Sequence, residues 1–453
     1  MDIQIPYGRQ SLTLQLPDDQ VVGVCNPRPM EAAADPGMLL HESIQAGFEE
    51  RDLTSKAGPG VAACIAITDR TRSTPNADIV PILLEELNAL GVADVRITVI
   101  SAGGMHAPDS QEELTRNVGQ AVMDRVQVLT NEPDNADVMV SMGMTELGTR
   151  VEVHRCFAEA DIKLGVTNVM PCMLAGWSGS GKIVMPGVSS RRAIYHNHKF
   201  FVEPLMELNC ASLMGVMPPD NPIRADIEEY ATISGIDLLV NTVLNSERRL
   251  VDVFSGEHLA SHRAARDCLL PNVEVSLPES VDVLIAGVGD PALEVSLFQG
   301  GSRVCGGVDR YLKPGGTLVM VNACTEGIYE GFEHQEFRDW MRQMPTPKEI
   351  GQLVDDEKMG GEKGCVLFTF SWLLHEMGCR IVIVTDGMTV EELNEIHLEH
   401  ASDVQRAVDD ALSSYPEGAS LGVMPYGGLV LPTLARQGDD THASTVAGVS
   451  VAR

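Results

Sequence analysis

A lysine closes a Gly/Ser-rich loop, Gly176-Trp177-Ser178-Gly179-Ser180-Gly181-Lys182, with Cys172 ten residues before it and His196 and His198 beyond it. The loop satisfies the G-x-x-x-x-G-K core of a phosphate-binding P-loop, in which backbone N–H groups and the lysine cradle phosphates. The next residue is Ile183, where such a loop needs a hydroxyl for magnesium, and the residues before it contain Pro171 and do not read as a clean strand. Magnesium-dependent ATP chemistry is therefore poorly served. His196-x-His198 on a strand would point both imidazoles to one face and chelate zinc or another ion with a carboxylate. Upstream lie Asp69-Arg70-Thr71-Arg72-Ser73-Thr74-Pro75 and Gly103-Gly104-Met105-His106. A guanidinium such as Arg72 grips a carboxylate through two parallel charge-assisted hydrogen bonds; the plainer reading is a surface loop with a local Asp/Arg pair of little energetic weight. An imidazole such as His106, with an ordinary pKa of about 6.5, takes up and returns a hydroxyl proton at neutral pH.

Taken in order along the chain, these segments resemble the nickel-dependent lactate racemase family, over roughly residues 1 to 430. Members carry a nickel-pincer nucleotide tethered to a lysine. The resemblance implies that Lys182 is the attachment residue, through a thioamide, and that His198, in the pair Asn197-His198, is the nickel ligand; His196 has no family role. It further implies that Ser178, Gly179 and Gly181 cradle the cofactor, that Arg72 holds substrate, that Asp69 orients Arg72 or contacts the cofactor, and that His106 is a catalytic acid/base. The family's reaction moves a proton from a 2-hydroxyl group and a hydride from the adjacent carbon, then returns both.

Two departures bear on the substrate. Where the family carries a second catalytic histidine, directly after a proline, this chain has Cys172. An ordinary thiol titrates about two units above imidazole, so Cys172 serves as a base only where positive charge lowers its pKa; the alternative is a small side chain that widens the pocket. In Leu297-Phe298-Gln299-Gly300-Gly301-Ser302-Arg303, Gln299 fits the family's substrate-contacting glutamine, but Ser302 stands in the place of a substrate-binding lysine and Arg303 follows it. Together these changes point away from lactate, toward a bulkier or more polar 2-hydroxy acid, with racemisation or epimerisation as the reaction. The same two changes support a different class, a nucleotide- or metabolite-binding protein that keeps the fold without the chemistry.

The elements that must position these groups follow from the hydrophobic pattern. Residues 1–20 alternate as a strand pair turning near Tyr7-Gly8, and 60–67, 95–100 and 137–141 read as strands leading into loops. A helix follows Pro81, and another begins at Gln111. Asp69, Arg72 and His106 sit just past strands, where parallel α/β sheets bind ligands. Further strands at 281–288, 315–321 and 380–385 define a second unit. The expectation is an α/β protein of two domains, each with a mostly parallel sheet flanked by helices, and an active site in the cleft between them. The N-terminal cofactor-binding domain spans 1–275, joined by a Pro-containing connector at about 270–279. The substrate-closing domain spans 276–415. A segment 416–453 returns to the first domain and ends in a tail frayed from about Asp439.

The bulk properties narrow the partners. A net charge of −31 over 453 residues disfavours nucleic acid and anionic membranes; the resemblance implies a small-molecule 2-hydroxy acid and the enzymes that make the cofactor as partners. The ten cysteines are dispersed, without CxxC pairs, and read as reduced thiols of a cytoplasmic protein. The N-terminus lacks the basic and apolar regions of a signal peptide.

Overall fold

Ala63–Ile67 is buried at every position rather than alternately, the mark of a strand inside a parallel sheet covered on both faces. In the computed structural model, which describes residues 1–330, 334–415 and 417–434, it is a central strand of a six-stranded sheet. The order is Leu250–Gly256, Leu238–Leu244, Ile162–Asn168, Ala63–Ile67, Ile97–Ser101, Gln127–Thr130. All neighbours are parallel except the edge strand Leu250–Gly256. Helix Asn76–Ala89 covers one face with Ile79, Val80, Leu83, Leu84 and Leu87, spaced to form one apolar stripe. It begins five residues before Pro81 rather than after it; the ring removes one helical hydrogen bond, and burial of Ile79 and Val80 offsets that loss. Helix Gln111–Val118 starts where expected, under a reciprocal Ser110/Glu113 cap.

A second six-stranded sheet, all parallel, runs Glu399–Ala401, Arg380–Val384, Leu312–Val321, Val281–Gly287, Leu421–Met424, Val21–Val24. Its edge departs from the boundaries drawn on chain position. Val21–Val24, assigned by position to the first unit, pairs with Leu421–Met424, and the hairpin Asp2–Tyr7/Gln10–Gln15 buries Ile3, Ile5, Leu14 and Leu16 against this sheet. Leu421–Met424 joins the same sheet instead of returning to the first. The stretch around Asp439 lies outside the described residues. Two further local expectations are corrected. Met139–Met144 pairs antiparallel with Arg150–His154, outside either large sheet. The Pro-containing connector is shorter than expected: helix His258–Val273 continues through Pro271 into strand Glu274–Leu277, and only 278–280, with Pro278, are irregular before Val281–Gly287.

Strands Ala63–Ile67, Ile97–Ser101 and Ile162–Asn168 all end at one edge of the first sheet and release the segments carrying Asp69 and Arg72, His106, and Cys172 to Lys182. Where the lysine loop leaves its turn, Gly187 is a close approach: a Cβ there would lie 2.1 Å from the Ile183 carbonyl oxygen. Gly187→Ala is therefore expected to destabilise the fold by about 1–3 kcal/mol or more, read as a lowered denaturant midpoint. An unchanged midpoint would mean that this turn relaxes freely.

Candidate active site

The loops released at that edge and the helices of the second unit line a common cavity of about 1100 Å3 including its mouth. Asp69, Arg72, His106, Cys172, Ser178, Gly179, Lys182, His198, Gln299 and Ser302 all border it; Gly181 does not. A Cβ on Gly181 would press on Ala231 and the Ile227 carbonyl at 2.8 Å, so its glycine serves the packing of the loop on helix Pro222–Ser234.

Asp69 is buried, and its Oδ2 meets His106 Nδ1 at 2.7 Å. Burial pushes this carboxyl up, but His106, Arg72 and the Thr71 hydroxyl outweigh it and hold it at about 2. A carboxylate on Nδ1 fixes the proton there and leaves Nε2 as the basic nitrogen. Nε2 faces the cavity and receives the Gln299 amide at 2.9 Å. Gln299 is itself oriented by Glu330, which accepts from it at 2.7 Å and from Ser296. The second unit therefore touches the basic atom of the first.

Three cations border the cavity with no carboxylate in salt-bridge contact among the described residues. Arg72 donates to the Thr71 carbonyl and hydroxyl at 2.8 and 2.7 Å. Arg303 is buried and donates to the Pro171 carbonyl. Lys182 is enclosed by protein, its accessible surface being that of the cavity, and its Nζ makes no hydrogen bond among the described residues. Burial, then Arg224, Arg72 and Arg303, push its pKa down, while Cys172 pulls the other way. Burial likewise pushes the Cys172 thiol up, but Lys182 and Arg303, with backbone N–H groups at 174 and 175, bring it to about 6. The positive charge that a basic thiol requires is present.

The loop bearing Lys182 is held by its backbone. Buried Arg224 donates to the Trp177 carbonyl at 2.8 Å, and His262 to the Ser178 carbonyl at 2.8 Å. The Ser178 hydroxyl closes the turn by donating to the Asn168 carbonyl, and that of Ser180 donates to Glu228. No helix opens at Lys182. Ser180–Ile183 is a single tight turn preceded by strands, and Ile183 is buried, which removes the P-loop reading. The strand geometry supposed for His196 and His198 is also corrected. Both lie on helix Arg191–His198, where positions two apart point to different sides. His196 meets the Thr149 hydroxyl at 2.9 Å, away from the cavity. His198 borders the cavity, and its buried Nδ1 has no partner. Burial and then the Lys182 charge push the His198 pKa down to about 3.

Arg303 was noticed in the sequence only as the neighbour of Ser302, whose hydroxyl is turned back to the Gln299 carbonyl at 2.9 Å. A cation one position along the helix was the available sign. Arg224, His262, Glu330 and the buried Glu362, which borders the cavity, were missed. Some sign of the last lay in Gly360-Gly361-Glu362-Lys363-Gly364: glycines so spaced permit close packing, and a Cβ on Gly361 would lie 2.6 Å from the His198 carbonyl carbon.

The fold and cavity define an α/β protein that brings a carboxylate–imidazole pair, two arginines and a lysine amine to one place. Residues 7–208 match the lactate racemase N-terminal domain family. Lactate racemases of Thermoanaerobacterium thermosaccharolyticum and Lactiplantibacillus plantarum are 23% and 24% identical, over 94% of this chain and 98% of each relative. The lactate racemase apoprotein of T. thermosaccharolyticum superposes with a TM-score of 0.79 at 22% identity, covering 96% of this chain and 100% of that one. A Thermotoga maritima protein of known structure gives 0.68 at 17%, over 90% and 100%. Residues 7–208 thus match the lactate racemase N-terminal domain, and the chain along its length is similar to lactate racemases. Among the described residues no helix is long and apolar enough to cross a membrane.

A direct check on the cavity's electrostatics is alkylation of Cys172 in protein whose Lys182 is unmodified. Because the thiol is shifted down, the thiolate is present above a midpoint of about 6, and the rate should fall as pH drops through it. In Lys182→Ala the largest favourable charge is gone and the midpoint should rise. A wild-type midpoint at an ordinary thiol value, about 8.5, would contradict this arrangement.

Proposed function

We propose that this protein racemises or epimerises a 2-hydroxy acid other than lactate, using a nickel-pincer nucleotide tethered at Lys182. The observation that carries the proposal is one cavity bordered by the Asp69–His106 pair, the Lys182 amine and the unpartnered His198 imidazole. These residues suit such a group. The amine is enclosed, unbonded and shifted toward its neutral, nucleophilic form. His198 is kept neutral, as a metal ligand must be. Gly179 borders the cavity at a positive φ, and a Cβ there would press on Asn241, His262 and Val169 at 3.1 Å, so its glycine lets the loop pack behind the cavity wall. Lys182 would hold the group covalently, and His198 would be its protein ligand to nickel. When bound, the group supplies a hydride acceptor.

The chain's own residues then have defined tasks. Arg72 and Arg303 grip the substrate carboxylate, the second replacing the cation lost at Ser302. The substrate hydroxyl takes the place of the Gln299 amide at His106 Nε2, which removes its proton as the adjacent C–H bond breaks. Asp69 stabilises the imidazolium that forms and keeps the proton available for return. Cys172 is the second acceptor in place of the family's second histidine, with Arg303 the charge left beside its sulfur once Lys182 is tethered. Phe298, Met173 and Leu174 supply an apolar wall, which suits a side chain larger than methyl. The setting fits a cytoplasmic enzyme supplied by cofactor-making partners.

Intact mass and nickel content should be measured on protein from cells that make the cofactor, beside Lys182→Ala. Wild type should carry a covalent adduct with near-stoichiometric nickel, and the variant neither. A wild type lacking both would overturn the reading in favour of a metabolite-binding protein. On loaded enzyme, chiral analysis across a panel of 2-hydroxy acids should find lactate converted more slowly than bulkier or more polar acids. Asp69→Asn should lower kcat on the best substrate on the order of 10²–10⁴-fold. Arg303→Gln should chiefly raise KM, and an unchanged KM would remove Arg303 from substrate binding.

A further inference from the structure

Two cysteines far apart in sequence meet outside the cavity. Cys64 lies on the central strand Ala63–Ile67, fully buried. Cys156 lies in the single helical turn Arg155–Ala158, which packs on that strand, and is only half-buried. The Cys64 thiol donates to the Cys156 sulfur at 3.8 Å. On its other side, Cys156 Sγ is 3.1 Å from His154 Nδ1, which also accepts the Cys156 backbone N–H at 3.4 Å. Among the described residues this is the one pair of cysteines joined sulfur to sulfur.

From this juxtaposition we infer that Cys64 and Cys156 form a reversible disulfide on exposure to a peroxide, with Cys156 as the attacking sulfur and Cys64 as the resolving one. The roles follow from surroundings. Cys156 receives a hydrogen bond from Cys64 and has an imidazole to take its proton, and both hold its pKa below that of an ordinary thiol despite burial. Burial pushes Cys64 the other way and keeps it a thiol. The more accessible sulfur is therefore the one that carries the electron pair.

In the first step the Cys156 thiolate attacks one peroxide oxygen, an S–O bond forms, the O–O bond breaks and hydroxide leaves. In the second, the Cys64 sulfur attacks the sulfenic sulfur of Cys156. The S–S bond forms as the S–O bond breaks, and the Cys64 proton leaves with the oxygen as water. Closing the pair from 3.8 Å to a bond of about 2.05 Å requires movement of less than about 2 Å, available to a one-turn helix at a connection more than to a central strand. The bond would join two segments that serve the cavity. The Cys64 strand runs on into Asp69 and Arg72, and His154 is bonded through its backbone N–H to the Val188 carbonyl, just past the lysine loop.

The test is peptide mapping of the full-length, reduced and desalted protein after brief treatment with a few equivalents of hydrogen peroxide. A Cys64–Cys156 linked peptide, two hydrogens lighter and reversed by dithiothreitol, should form about tenfold or more faster than oxidation of the seven cysteines whose pKa is raised or ordinary. Cys172 is mapped separately, because it too is shifted down. In Cys64→Ala, Cys156 should stop at a sulfenic acid trapped by dimedone, whereas in Cys156→Ser, Cys64 should stay reduced. His154→Asn should slow linkage about tenfold. If wild-type protein oxidises at Cys172 while Cys64 and Cys156 both remain thiols, the inference is wrong, and that result needs no variant to fold.

Discussion

Enclosing the Lys182 ammonium among other cations is the constraint on which the rest of the site depends. A charge moved out of water costs several kcal/mol unless it is paired, yet Lys182, Arg72 and Arg303 border one cavity with no carboxylate salt bridge among the described residues. The chain tolerates this because the loop carrying Lys182 is held by its backbone rather than its side chain. Arg224 and His262 donate to the carbonyls of Trp177 and Ser178, and the hydroxyls of Ser178 and Ser180 close the turn and tie it to Glu228. The electrostatic cost has a chemical outcome. Burial and the neighbouring arginines lower the pKa of Lys182, and the charges of Lys182 and Arg303 in turn lower that of Cys172 against its own burial.

The first unit supplies the Asp69–His106 pair, Arg72, Cys172, Lys182 and His198, and the second closes on it through Gln299 and Arg303. The contact of Gln299 with His106 Nε2 links the two, and Glu330 and Ser296 orient it. Glycines make this approach close: at Gly361 helix meets helix with no room for a Cβ against His198. A chain of net charge −31 thus presents a locally positive interior, which is what the proposed 2-hydroxy acid substrate needs.

Much of this was legible before any fold. The Gly/Ser loop ending in Lys182, the His106 loop and the Arg72 segment could be read because each is short and local, and the Arg72 segment follows a strand, Ala63–Ile67, whose apolar run is continuous. Strand and helix boundaries were mostly close for the same reason, since periodicity is a local property. Errors fell where a local pattern was ambiguous. His196-x-His198 was read with a strand's period, and the helix at 191–198 separates the two rings. Pro81 and Pro271 were read as breaks, but each sits inside a helix whose buried face offsets one lost hydrogen bond.

The sequence by itself determined which chemical groups exist, their order, and the local segments that carry them, including Cys172 and Ser302 at the places where the resemblance implies a histidine and a lysine. Only the tertiary structure decided which of them meet. It turned Ser302 back on its own helix and put the Arg303 cation in the cavity, paired Val21–Val24 with Leu421–Met424, and brought Cys64 to Cys156. The physical reason is that such contacts depend on strand order and on how helices cover each sheet. Those are set by burial summed over the whole chain, and no window of neighbouring residues contains that sum.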